Sequence, residues 1–121
     1  MPETKFHRAW TIFEDIQYEI RPRLNYLVHG RNAIRPETIS EIGSIRRMIE
    51  LLCKIIKFCL RDLNHGGYNL ERSAIYTLQL SEMMRSLKIS FHKLSQAMKR
   101  YDDNYPSDQV ASLLEDLDSE L

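Results

Sequence analysis

The chain has 121 residues, 43% hydrophobic and 28% charged, with 17 basic and 17 acidic side chains and a formal net charge of zero. That length suits one domain with a single core, and the composition excludes a disordered or low-complexity protein. No apolar run nears the ~20 residues of a membrane span, and the opening residues lack the apolar stretch of a secretory leader, so a cytoplasmic protein with no membrane segment is expected.

The first element is an amphipathic helix. Phe6, Trp10, Phe13, Ile16 or Gln17, Ile20, Leu24 and Leu27 return at helical spacing. Pro22 is expected to kink it, because the proline ring meets the carbonyl of Tyr18. The helix ends in "RLNYLVHG", residues 23 to 30, and a similar stretch, "RDLNHGGY", follows at residues 61 to 68. Both read as helix C-termini. Gly30 and Gly66 are expected in the left-handed position after each helix, with His29 and His65 against the negative end of the helix dipole.

The first stretch also resembles the HEPN-domain ribonucleases, all-helical enzymes whose local pattern is an arginine, a polar residue and then a histidine followed by glycine. That resemblance covers eight residues. It implies metal-independent RNA cleavage, with Arg23 and His29 polarising the scissile phosphate and assisting attack by the 2′-hydroxyl. Asn25 would hold the polar position, and two sites would pair across a dimer. The capping reading accounts for both stretches by one mechanism and is preferred, with the ribonuclease as its alternative.

The second helix carries the strongest pattern. Ile42, Ile45, Ile49, Leu52, Ile56, Cys59 and Leu63 step by alternating threes and fours. A second stripe of Met48, Leu51, Ile55 and Phe58 widens the apolar face beyond that of a two-stranded coiled coil, predicting the most buried element of a bundle. Pro36 suits the first turn, where no N–H is needed. Cys53 and Cys59 lie six apart on this helix and point to different faces, so they are expected as inert thiols in a reducing compartment.

Asn69 is a suitable cap for the third helix, whose Leu80, Met84, Leu87, Phe91, Leu94, Met98 and Tyr101 repeat the same stepping. The short "HGGY" link predicts that helices two and three run antiparallel. Beyond Pro106, Ser107 can cap a short acidic helix with Val110, Leu113, Leu114, Leu117 and Leu121 on one face. The expected fold is therefore all-α: an elongated antiparallel bundle of three long helices over residues 1–101. Residues 102–121 form an acidic linker and a short amphipathic C-terminal helix.

Charge divides along the same boundary. Residues 102–121 hold seven acidic side chains and no Lys or Arg, leaving 17 basic against 10 acidic before them. Arg47, Lys54 and Arg61 are heptad neighbours, flanked by Arg46 and Lys57, and Arg85, Lys88 and Lys99 follow a similar stripe on the third helix. These eight are the candidate nucleic-acid contacts, suited to phosphate backbones and not to reading bases. The apolar residues of the tail, Val110, Leu113, Leu114, Leu117 and Leu121, are the candidate partner contacts. The four histidines lack metal-ligand spacing, there is no C-x-x-C, and no phosphate-binding loop or nucleophile motif occurs, so neither metal nor cofactor is expected. The sequence thus favours a non-enzymatic helical adaptor or accessory subunit. Its expected partners are another protein or a further copy of itself, with RNA or DNA as a second class. An oligomeric scaffold or immunity-type binder is the remaining alternative.

Overall fold

The computed structural model describes residues 3–30 and 36–101, together with Ser112 and Glu115. Among them are three helices and no strand: α1 (Lys5–His29), α2 (Pro36–His65) and α3 (Leu70–Tyr101). No helix among the described residues is long and apolar enough to cross a membrane. Ser112 and Glu115 are helical and exposed. The expected C-terminal helix, including Val110, Leu113, Leu114, Leu117 and Leu121, otherwise lies outside the described residues.

Each helix starts where local chemistry supplies a partner for its orphan N–H groups. Thr4, in extended conformation, accepts from the His7 amide through its hydroxyl at 3.0 Å. Asn69 does the same for the Arg72 amide at 2.8 Å, as its position before α3 predicts. Pro36 occupies the first position of α2. Pro22 lies on the exposed side of α1, and the helix continues through it to His29.

The helix ends depart from expectation. Gly30 is extended, with φ −72° and ψ 151°, and still closes the helix by donating to the Tyr26 carbonyl at 2.8 Å. After α2 the left-handed residue is Gly67, at φ 69°, one place later than expected. Gly66 serves space instead: an added Cβ would lie 2.5 Å from the Asp62 carbonyl oxygen and 2.6 Å from the Tyr68 ring. The Tyr68 hydroxyl donates to the Asp62 carboxylate, folding the link over the end of α2 and leaving no room for a side chain.

All three helices touch one another. The a/d stripe of α2 is buried from Ile42 to Cys59, and Leu63 is half-buried. It meets Phe6, Phe13, Ile20 and Leu24 of α1 and Met83, Leu87 and Leu94 of α3 in one cluster of fully or almost fully buried side chains. Each such side chain contributes roughly 1.5–3 kcal/mol by leaving water. Side-chain pairs set the register. Thr4 meets Tyr76 at 2.5 Å, Gln17 meets Ser86 and Ser90, Lys93 donates to Asn25 at 2.8 Å, and Arg100 donates to the Val28 carbonyl at 2.8 Å. Residue numbers rise together along this seam, so α1 and α3 point the same way.

Between Ile16 and Gln17, it is the glutamine that is buried, 1% exposed, while Ile16 is half-buried. Its Nε2 donates to the Ser86 hydroxyl at 2.6 Å and its Oε1 accepts from the Ser90 hydroxyl at 2.9 Å. Both ends of the amide are thereby satisfied, which removes most of the cost of burying it.

Candidate interaction surface

The outer stripe of α2 is where the described structure departs most usefully from its periodicity. Three helices cover the a/d stripe but not all of its neighbour. Met48 and Ile55 are half-buried, whereas Leu51 is 47% and Phe58 45% exposed. Arg47, Lys54 and Arg61 are exposed on the same outer side. At ~100° per residue, Arg47, Leu51, Lys54, Phe58 and Arg61 fall within an arc of about 80°. The face therefore alternates cation, apolar, cation, apolar, cation along roughly 21 Å of helix. Phe58 supplies an interleaved aromatic ring that the basic pattern alone does not reveal. Arg46 and Lys57 stand half-buried on one flank, and Arg46 pairs with Glu50 at 3.7 Å.

The α3 cations are placed differently. Arg85, Lys88 and Lys99 are exposed. Arg85 pairs with Glu82 at 2.8 Å and lines a groove of about 210 Å³ between α1 and α3. Arg21 and Lys93 line the same groove, with Asn25, Ser86 and Ile89. Arg21 donates to the Ser86 hydroxyl at 3.2 Å, and Lys93 is held by Asn25. Sequence reasoning missed Arg21 and Lys93. They lie on different helices 72 positions apart, and neither belongs to a run or stripe of like charge. Glu82 offsets one of the groove's three cations, whereas on α2 Glu50 stands on the flank with Arg46 and the line of Arg47, Lys54 and Arg61 carries no acidic side chain.

The three residues of the ribonuclease resemblance point to different neighbours. Arg23 turns toward α2, where its guanidinium donates to the Glu41 carboxylate and reaches Ser44 at 3.4 Å and the Met48 sulfur at 3.6 Å. Glu19, one turn earlier, lies 3.3 Å away. The hydrogen bond to Glu41 raises the Arg23 pKa above its ordinary value against the opposing effect of partial burial. Asn25 faces α3 and accepts from Lys93, and His29 is exposed at the helix end. Arg23 thus ties α1 to α2 through the Glu41 carboxylate, with Glu19 of its own helix beside it, the geometry of a seam.

The thiols lie in the core. Cys53 and Cys59 are free and fully buried. Burial pushes Cys53 up to about 11 and Cys59 up to about 12, so neither is a thiolate or a good nucleophile near neutrality. Among the described residues no three of His, Cys, Asp and Glu gather as metal ligands would. Compared with known protein families, with curated proteins and with solved structures, the chain matches none.

Proposed function

We propose that this chain is a non-enzymatic adaptor or accessory subunit of a larger assembly, and that the outer stripe of α2 is its principal protein-binding face. The observation that carries the reading is the exposure of Leu51 and Phe58 between Arg47, Lys54 and Arg61. Isolated exposed apolar residues are ordinary on a soluble protein, but here two share one straight stripe with three cations a heptad apart. A duplex phosphate backbone would use the cations and leave Leu51 and Phe58 idle, and a single strand stacking a base on Phe58 would still leave Leu51 idle. A protein surface uses both. In this reading the helices act as an elongated antiparallel bundle, rigid enough to hold the stripe straight, with residues 102–121 as a short acidic helical appendage. RNA or DNA is a second class of partner, drawn by Arg46, Arg47, Lys54, Lys57, Arg61, Arg85, Lys88 and Lys99. We take the compartment to be the cytoplasm, where two free thiols persist without oxidation.

The test is a photo-crosslinking residue at position 58 in the full chain, irradiated in cells, with adducts identified by mass spectrometry. Protein adducts lost on Lys54→Glu are expected. In parallel, labelled RNA is titrated at low and moderate salt and then run on a gel, and intact RNA is expected. RNA adducts alone at position 58 would replace the protein-binding reading by a nucleic-acid one. RNA cleavage abolished by His29→Ala would replace it by the ribonuclease.

A further inference from the structure

We infer that the outer stripe of α2 receives the acidic segment 107–121 of a second copy of this chain; the inference rests on the protein-binding reading above and names the partner. Its first support is charge. Arg47, Lys54 and Arg61 are exposed along one line of α2. Residues 107–121 contain Asp108, Glu115, Asp116, Asp118 and Glu120 and no cation. The opposite net charges of the stripe and the segment attract, and the attraction steers their encounter.

The second support is apolar pattern. Wound as a helix at ~100° per residue, the segment would place Val110, Leu113, Leu114, Leu117 and Leu121 within an arc of about 100°, with Asp118 about 90° to one side of its middle and Glu120 about 70° to the other. Leu51 and Phe58 offer an apolar strip with cations between and beside them. An acidic amphipathic helix suits that strip: its apolar side meets Leu51 and Phe58, and Asp118 and Glu120 at the border of that side come near a cation at one end of the strip. Ser112 and Glu115 are helical and exposed, and the same winding puts both on the polar side of the segment.

A second copy is the source we assign because every chain carries both a stripe and a segment, so two copies supply each other reciprocally; a chain that binds its own segment would stay monomeric in sedimentation. Reciprocal exchange of the segment between two copies closes a two-fold dimer with both stripes covered, and no open filament is needed. Exposed charge pairs are screened by salt, so the dimer must weaken as ionic strength rises.

Sedimentation velocity of the full chain over a micromolar concentration range, at low and high salt, tests this. Two full-length variants are compared: Lys54→Glu with Arg61→Glu on the stripe, and Leu114→Ser with Leu117→Ser in the segment. Circular dichroism checks that each keeps its helices; the stripe variant changes only exposed side chains and serves even if the segment variant loses structure. Wild type is expected to dimerise at low salt, and each variant alone to associate about tenfold or more weakly. An equimolar mixture should recover association, because each mixed pair keeps one intact stripe facing one intact segment. A wild type that stays monomeric, or a stripe variant that dimerises like wild type, would overturn the inference. If wild type is monomeric while position 58 still crosslinks to another protein, the second-copy assignment falls and the adaptor reading stands. If position 58 also captures no protein, both fall.

Discussion

Both stripes of α2 carry large apolar side chains, and those side chains meet different surroundings. Leu52 is 0% exposed and Leu51, its neighbour in the chain, is 47% exposed. Rotation by ~100° carries a leucine from the centre of the core to its rim. The inner stripe is enclosed because α1 and α3 close over it from either side. The outer one lies at the rim of both, half-buried at Met48 and Ile55 and about half exposed at Leu51 and Phe58, with Arg47, Lys54 and Arg61 interleaved. Apolar content on a helix therefore says how much surface wants cover. How much is covered depends on how many neighbours the fold provides.

The sharpest way to break this contrast is to truncate the inner leucine. Leu52→Ala should destabilise the chain by about 2–5 kcal/mol, since it removes buried methyl groups and leaves a cavity among side chains already in contact. A urea unfolding midpoint measures it. A loss below about 1 kcal/mol would mean that the inner stripe is not the centre of the core.

The inner thiols sharpen the same contrast through pH. Cys53 ionises at about 11 in the folded chain against an ordinary 9.0. Between those values the unfolded chain releases its proton and the native one keeps it, so stability is full below pH 9 and declines as pH rises toward 11. The slope approaches ~1.4 kcal/mol per pH unit for each buried thiol. Comparing wild type with Cys53→Ala at neutral and alkaline pH isolates the effect from the tyrosines and lysines that also titrate there. Phe58→Cys provides the outer counterpart: its thiol should react quickly with a disulfide reagent in the native state, while Cys59 beside it reacts only on unfolding.

How much of this was legible beforehand follows from what each feature depends on. The a/d stripe of α2 and the Asn69 cap depend on residues close in sequence, and periodicity and capping chemistry read them directly. Gln17 over Ile16 was undecidable, because the choice rests on Ser86 and Ser90 waiting on another helix. Arg23 looked like a candidate catalytic group for want of knowing that Glu41 and Ser44 stand opposite. The left-handed glycine was misplaced for a local but crowded reason: Tyr68 folds back to Asp62 and leaves Gly66 room for a hydrogen but not for a methyl group. The Arg21–Arg85–Lys93 groove was invisible because its members share a helix seam and no motif.

The α1–α2 seam gives an intermediate prediction. Arg23 and Glu41 are 28% and 35% exposed, so water screens their attraction. A double-mutant cycle, Arg23→Ala with Glu41→Ala, should give a coupling of about 0.5–1 kcal/mol that shrinks with added salt. A coupling of several kcal/mol, insensitive to salt, would mean a pair far more enclosed than these exposures allow.

The smallest effect belongs to the outer stripe, and it is the one that ties the contrast to function. Leu51→Ala should shift stability by no more than about 0.5–1 kcal/mol, because half of the side chain already meets water and its loss opens no enclosed cavity. The measurement is the same urea midpoint, taken at a concentration low enough for the chain to be monomeric. If stability there fell as far as for Leu52→Ala, the outer stripe would be part of the core and unavailable to any partner. If it is nearly unchanged while association at higher concentration weakens, Leu51 serves contact between molecules and not the fold. Two adjacent leucines would then divide the work of α2, one holding the helix in place and the other holding what binds to it.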